Sequence, residues 1–170
     1  MNPPDDQQGL LDLYKQGPDL LEQALHGLSD SELDAAPAQG GWTIREIVHH
    51  IVDGDDIWDM YIKMALGNQE GEFNLAWYWA KPQVEWARDW LYADRAIDVS
   101  LALFKANRAH ILQILGKIPA AWSLHAQFRK SDGTVEQVPV GAAVQIQANH
   151  VVHHIKRIQE IRTKLIEHKR

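Results

Sequence analysis

The chain has 170 residues, no cysteine and a formal net charge of −6 with its histidines neutral. Its length predicts a single domain, 1–170, with its own core, and the lack of cysteine excludes disulfides, thiolate metal sites and cysteine nucleophiles. The acidic balance disfavours nucleic acid and anionic membranes as partners, because both attract basic surfaces. No secretory signal and no run of about 18 apolar residues is present, so we expect a cytoplasmic protein without membrane segments.

The first two predicted helices follow the spacing of apolar residues that is typical of amphipathic helices. One covers residues 7 to about 28, and Gly17-Pro18 predicts a kink or a restart within it. The other begins after Thr43, which forms a capping box with Glu46, and continues to about Leu66. A loop rich in small residues separates the two helices.

Two further helices are predicted over residues 94 to 117 and 140 to 167. Between the second and third helices, residues 72–92 are irregular and contain four of the seven tryptophans. These side chains predict a substrate entrance, a dimer surface or packing over the bundle end. Residues 126–138 predict a small hairpin around Asp132-Gly133, and we expect no other sheet. The pattern therefore favours an all-α four-helix bundle with long connections between helices 2 and 3 and between helices 3 and 4.

Three histidines lie within five positions of the fourth helix, and helical geometry separates them. At about 100° per residue, His150 and His154 fall on the apolar side of the helix, together with Val151 and Ile158. His153 falls on the polar flank beside Glu160. The pair spaced four residues apart is therefore expected to face the core, and His153 is not.

The second helix also contains neighbouring histidines that the same geometry separates. His50 borders the apolar side of the helix, whereas His49 falls among Asp53 and Asp56 and is expected to be solvated. Asp55 and Asp56 are likewise interpreted as solvated charges. The sequence thus offers three inward or nearly inward imidazoles from two helices.

Three imidazoles from two helices match the chemistry of a metal site. Two imidazoles spaced four residues apart can bind one ion, a third completes the set, and a coordination position stays open for water. Imidazole suits zinc, nickel and iron alike. A pair of histidines with this spacing is also common on surfaces and in satisfied cores, so the spacing alone leaves both interpretations open.

Three other polar residues are candidates for catalysis, each beside a structural interpretation that we favour. Asp53 could orient a ligand or accept a proton, but its position suggests a surface charge. Tyr61 could polarise a substrate, but a core tyrosine with a satisfied hydroxyl is expected. Arg108 lies near the apolar side of the third helix, where a structural ion pair is favoured over binding of an anionic substrate.

Two segments of the chain carry a family resemblance, "GGWTIREIVHHIVDGD" at 40–55 and "NHVVHHIKRIQEI" at 149–161. Their order and spacing, over nearly the full chain, resemble the DinB/YfiT-like family of four-helix-bundle proteins. The resemblance implies an up-down-down-up bundle with one divalent metal ion per chain. It also implies that His50, His150 and His154 are the ligands.

The same resemblance indicates a metal-dependent enzyme that acts on a small molecule, with zinc or nickel as the expected ion. Some relatives look like hydrolases, and others look like transferases or isomerases that use low-molecular-weight thiols. No carboxylate is predicted on the inward faces, which favours thiol chemistry over peptide-like hydrolysis. The alternative is a non-catalytic bundle whose metal or histidine cluster serves stability or stress sensing. A homodimer is consistent with either hypothesis.

Overall fold

A computed structural model describes residues 6–37 and 40–168, and this part of the chain is mostly helical. The helices are α1 (Gln7–Leu25), α2 (Asp30–Leu33), α3 (Ile44–Gly67), α4 (Ala76–Trp79), α5 (Gln83–Asp89), α6 (Ile97–Leu115) and α7 (Val140–His168). Helices α1, α3, α6 and α7 form a four-helix bundle. The predicted capping box at the start of α3 is confirmed, because Thr43 and Glu46 bond to each other's backbone N–H groups.

Pairs of polar contacts between the long helices show whether the helices run parallel or antiparallel. These contacts are His50–His150 and Asp59–Gln147 between α3 and α7, His49–Ser100 and Asp55–Arg108 between α3 and α6, and Asp19–Lys105 and Tyr14–Arg108 between α1 and α6. Helix α3 is therefore antiparallel to α7 and parallel to α6, and α6 is antiparallel to α1. In the described part of the chain, no helix is long and apolar enough to cross a membrane.

The core consists of two apolar clusters. One contains Ile51, Phe104 and Val151, and the other contains Tyr61, Ile111 and Val144, each with further buried neighbours. Between them lies a set of buried polar side chains, here called the polar layer: Tyr14, Asp55, Asp59, Arg108 and Gln147. On α3 and α6, Asp55 and Arg108 separate buried residues of one cluster from those of the other, and on α7 Gln147 lies close to the same boundary.

Arg108 forms the centre of the polar layer. It is 1% exposed, and its guanidinium makes two hydrogen bonds, of 3.1 and 2.8 Å, to the carboxylate of Asp55, which is 2% exposed. It also donates to the carbonyl of Gln147 at 3.0 Å, and the amide of Gln147 donates to Asp59 at 3.0 Å. The interpretation of Arg108 as a structural ion pair is confirmed. The prediction of a solvated Asp55 is wrong, because its partner comes from another helix.

Helix α1 continues through Gly17-Pro18, so the predicted restart there is wrong. Proline has no N–H and cannot bond to the carbonyl four residues earlier, which is that of Tyr14. Arg108 donates to this carbonyl at 2.6 Å and satisfies it. Gly17 leaves the space, since a Cβ there would lie 2.2 Å from Nη1 of Arg108. The Gly-Pro pair therefore accommodates a buried cation instead of breaking the helix.

The connections between helices contain a three-stranded sheet of β1 (Glu72–Asn74), β2 (His125–Arg129) and β3 (Val135–Pro139). The predicted hairpin is confirmed as the antiparallel pair β2–β3, but β1 pairs with β2 in parallel, and the expectation of no other sheet is wrong. A three-residue strand that pairs across about 50 residues leaves little local signal. The hydroxyl of Tyr61 bonds the carbonyls of Ala126 and Val138, which joins the hairpin to α3.

Candidate metal centre

Three imidazoles from α3 and α7 converge at one point. Nε2 of His150 lies 3.0 Å from Nε2 of His50 and 3.0 Å from Nε2 of His154. The three residues each offer one ligand atom, and these atoms all lie within 4.8 Å of one another. In the described part of the chain, no other group of three or more histidine, aspartate or glutamate side chains brings its ligand atoms close enough together to hold a metal ion. No carboxylate belongs to the group of three histidines.

Two neighbouring residues shape this histidine cluster. Trp42, just before α3, packs on His50 with ring centroids 4.2 Å apart, and its ring lies 6.3 Å from that of His154. Gly54, one turn after His50, faces the ring of His150, and a Cβ there would lie 3.4 Å from its Cε1 atom. The indole thus covers one side of the cluster, and the glycine allows α7 to approach α3 closely.

Burial keeps all three imidazoles neutral. The pKa is lowered to about 2 for His50, about 4 for His150 and about 3 for His154. In each case burial is the largest cause, and the charge of neighbouring histidines adds to it. An imidazole binds a metal ion through a lone pair that exists only in the unprotonated ring. At neutral pH the cluster therefore presents three ligands in their binding form.

Hydrogen bonding alone does not satisfy the cluster. In a neutral imidazole each ring nitrogen carries either one N–H or one in-plane lone pair. Nε2 of His150 can therefore make one good hydrogen bond, to His50 or to His154, but not both. Nδ1 of His154 is buried and has no hydrogen-bond partner. A divalent cation would use one lone pair from each ring at once, at about 2.0–2.1 Å for zinc. The donor set and its spacing therefore fit a metal ion.

The lowered pKa values predict how stability depends on pH in metal-free protein. Unfolded histidines bind protons below a pKa of about 6.5, whereas His50, His150 and His154 bind them only near pKa values of about 2 to 4. The unfolded state therefore binds more protons in this window, and the free energy of unfolding falls as the pH drops below 6.5. We expect a loss of at least about 1 kcal/mol between about pH 7 and pH 5.

Urea denaturation with a chelator present measures this loss. The free energy of unfolding of the variant His150→Gln should fall less on acidification than that of the wild type, because one of the three imidazoles is gone. His110 is exposed and serves as the matched control, so His110→Gln should keep the wild-type loss. An identical loss in all three proteins would contradict the assignment of the pH effect to the cluster.

The other two histidines of the sequence patterns lie outside the cluster. His153 is exposed, as predicted, with its ring centroid 5.0 Å from that of His154. His49 is fully buried, so its prediction as solvated is wrong. Its Nδ1 lies 2.9 Å from the hydroxyl of Ser100 and its Nε2 lies 3.1 Å from the carbonyl of Arg95, because residues 92–100 cover this face of α3.

The catalytic candidates Asp53, Tyr61 and Arg108 do not join the cluster either. Asp53 is half-buried and pairs with Arg95 at 3.4 Å. Tyr61 is a buried core residue with a satisfied hydroxyl, as the favoured interpretation predicted. Arg108 lies in the polar layer. Asp56 is exposed, as predicted.

A cavity of about 740 Å³ adjoins the cluster at His154. Its apolar wall includes Trp42, Ile47 and Ile161, and its charged wall includes Arg157, Glu160 and Lys164. Sequence reasoning did not identify these residues as functional, although Arg157, Ile161 and Lys164 follow His154 at helical spacing. None of the four tryptophans at 72–92 is among the described lining residues of this cavity. Trp86 instead stacks on Tyr78 and packs at a tilt against Trp90.

The bundle and the converging imidazoles define a helical protein with a candidate metal centre. The sequence profile of the DinB superfamily matches residues 13–158, and the chain belongs to this family. The resemblance noted from the two histidine segments is thereby confirmed.

Relatives of known name or structure agree with this assignment. A protein of Oceanobacillus iheyensis named "Putative metal-dependent hydrolase" is 26% identical over 85% of this chain and 78% of its own length. A protein of Bacillus mycoides with the same name is 27% identical over 87% of this chain and 80% of its own. YfiT from Bacillus subtilis is described as a probable metal-dependent hydrolase with an unusual four-helix bundle topology. It matches with a TM-score of 0.79 and 20% identity over 97% of this chain and 93% of its own, which shows a common fold.

Proposed function

We propose that His50, His150 and His154 bind one divalent metal ion per chain and that the protein is a metal-dependent hydrolase of small molecules. The observation that supports this most is the convergence of three neutral imidazoles, that of His50 buried and the other two half-buried, with Nε2 of His150 3.0 Å from Nε2 of each of the other two. The names of the relatives support the same chemical class. Zinc or nickel is the proposed ion, because imidazole ligands suit both.

His50, His150 and His154 would hold the ion with three protein ligands, a number that is typical of catalytic rather than structural zinc sites. A divalent ion at this position supplies a Lewis acid that lowers the pKa of bound water or thiol, or polarises a carbonyl group. The neutral imidazoles add no charge of their own, so the ion keeps its full positive charge in a partly buried site.

The remaining residues have supporting roles in this proposal. Trp42, Ile47 and Ile161 form an apolar wall that restricts water beside the ligands. His153 lines the same cavity next to His154, and we propose that it accepts or returns the proton during hydrolysis. Asp53, Tyr61 and Arg108 are engaged in structural contacts and receive no role in catalysis.

A second candidate function is transfer of a low-molecular-weight thiol to a small electrophile. It is favoured by the absence of any carboxylate from the described histidine cluster, since hydrolysis commonly uses a carboxylate as general base. A divalent ion held by these histidines would lower the pKa of a bound thiol enough for water to take its proton, so this reaction would need no carboxylate base. The third hypothesis, a metal centre that serves only stability or stress sensing, requires neither reaction.

Two assays on metal-loaded protein separate these functions. One follows hydrolysis of small amide and ester substrates, and the other follows loss of a thiol in the presence of an alkylating electrophile. Hydrolysis that chelation abolishes supports the first candidate, and metal-dependent thiol consumption supports the second. The variant His153→Gln should reduce hydrolysis about 10²-fold, because it removes the proposed proton acceptor, and leave the metal content unchanged. Metal-loaded protein that is inactive in both assays but loses thermal stability on chelation would indicate the structural role.

A further inference from the structure

Another cavity, of about 560 Å³ and here called the outer cavity, lies between the outer side of α3 and the connection that follows α3. It shares no described lining residue with the cavity beside His154. Its lining includes two tryptophans, a methionine and three charged residues, namely Trp77, Trp90, Met60, Asp53, Asp56 and Arg95. The volume is within the range of small-molecule sites.

Two large apolar side chains of the outer cavity are exposed to water. Met60 is 58% exposed and Trp77 is 51% exposed, although methionine and tryptophan side chains are on average well buried in proteins. Trp90 is half-buried beside them. Single exposed apolar side chains are common, but several that share one cavity are typical of a ligand surface.

The charges of the outer cavity do not cancel. Arg95 donates to the carboxylate of Asp53 at 3.4 Å, and together these two residues are neutral. Asp56 accepts a hydrogen bond from the neutral amide of Asn107 at 3.2 Å and forms no ion pair within the described part of the chain. Two carboxylates and one guanidinium therefore give the lining a formal charge of −1, and this charge belongs to Asp56.

The connection after α3 already uses an aromatic ring and a carboxylate to hold one of its own cations. Nζ of Lys81 lies 3.9 Å from the centre of the Trp86 ring and pairs with Asp89. Trp77 and Asp56 bring the same two kinds of group to the outer cavity. Among the described residues, no side-chain cation lies over the ring of Trp77.

We infer that the outer cavity binds a small organic cation, with its charged group at Asp56 and Trp77 and its apolar part against Met60 and Trp90. The face of an indole ring attracts a cation, and alkylated ammonium groups are recognised by aromatic side chains in this way. A neutral molecule of the same length would lose both attractions, and an anion would be repelled by Asp56. The inference goes beyond the proposed function and is independent of it, because no histidine of the cluster takes part.

An NMR titration of the full chain with hexyltrimethylammonium, hexan-1-ol and hexanoate tests the ligand class. The cation should bind tightest of the three and should shift the indole resonances of Trp77 and Trp90. Equal affinity for hexyltrimethylammonium and hexan-1-ol would overturn the inference. Shifts that centre on Trp42, in the cavity beside His154, would overturn it as well.

Three variants and a control test the assignment of residues. Asp56→Asn should weaken binding of hexyltrimethylammonium about two- to fivefold and leave that of hexan-1-ol unchanged, because it removes only a charge. Trp77→Leu should weaken binding of the cation by a similar factor, and Arg95→Gln should strengthen it about twofold, because a competing positive charge is lost. Asp12 is an exposed carboxylate on α1 that accepts a hydrogen bond from the amide of Gln8, so Asp12→Asn is the matched control and should bind like the wild type. If Asp56→Asn binds the cation as tightly as Asp12→Asn does, the inference is wrong.

Discussion

Replacing His150 by alanine is expected to remove the bound metal ion almost completely. Nε2 of His150 lies 3.0 Å from each of the other two Nε2 atoms, so its loss leaves two ligands that no longer share a central partner. Elemental analysis of untagged protein should give about one ion per chain for the wild type and less than about 0.2 for His150→Ala. Chelation should lower the melting temperature of the wild type and not that of the variant, because an ion that binds only the folded state stabilises it.

The neighbouring residue provides the matched control. His153 lies three positions along the same helix, is exposed and is outside the cluster. His153→Ala removes an imidazole of the same chemistry from the same helix and should retain the full metal content. Equal metal content in the two variants, whether high or low, would show that His150 is not a specific ligand.

Replacing Asp55 by alanine is expected to lower the free energy of unfolding by about 3–5 kcal/mol, the usual cost of removing one partner from a buried ion pair. Arg108 is 1% exposed and would keep its charge without the carboxylate that makes two hydrogen bonds to it. Because Gly17 and the carbonyl of Tyr14 enclose the guanidinium, it cannot easily turn towards water. Urea denaturation at neutral pH measures this loss.

Asp56 is the matched control for this prediction, since it is the next residue and is exposed. Asp56→Ala should change the free energy of unfolding by no more than about 0.5 kcal/mol. The double variant Asp55→Leu, Arg108→Met should recover part of the loss, because it removes the unpaired charge along with its partner. If Asp55→Ala costs no more than Asp56→Ala, the ion pair does not stabilise the bundle.

The long helices and the three clustered histidines could be predicted from the sequence, because both follow from periodicity within one helix. His150 and His154 share the apolar side of α7, and His50 borders that of α3. His49 could not be placed in this way. Residues 92–100 cover the face of α3 that carries His49. Helical periodicity gives the direction in which a side chain points, but not which distant segment packs against it.

The polar layer and the sheet could be predicted only in part from the sequence, for a related reason. In the sequence, Asp55 has the features of a surface carboxylate, because its partner Arg108 lies 53 positions away. The antiparallel hairpin has a local turn signal at Asp132-Gly133, whereas β1 has three residues and pairs with a distant strand. Features that depend on contacts between distant segments leave little trace in the local sequence.

The polar layer has a consequence for the assembly of the proposed metal centre. A long helix displaced by one turn along its neighbours would move its layer residue about 5.4 Å into an apolar cluster and leave a polar group there unpaired. Such misaligned bundles are strongly disfavoured. Since His150 lies three residues after Gln147 and His50 five residues before Asp55, the alignment that pairs the layer also brings the imidazoles together. The histidine cluster is therefore preorganised, and the proposed metal binding should proceed on a bundle that has already folded, unlike the zinc fingers that fold only around their ion.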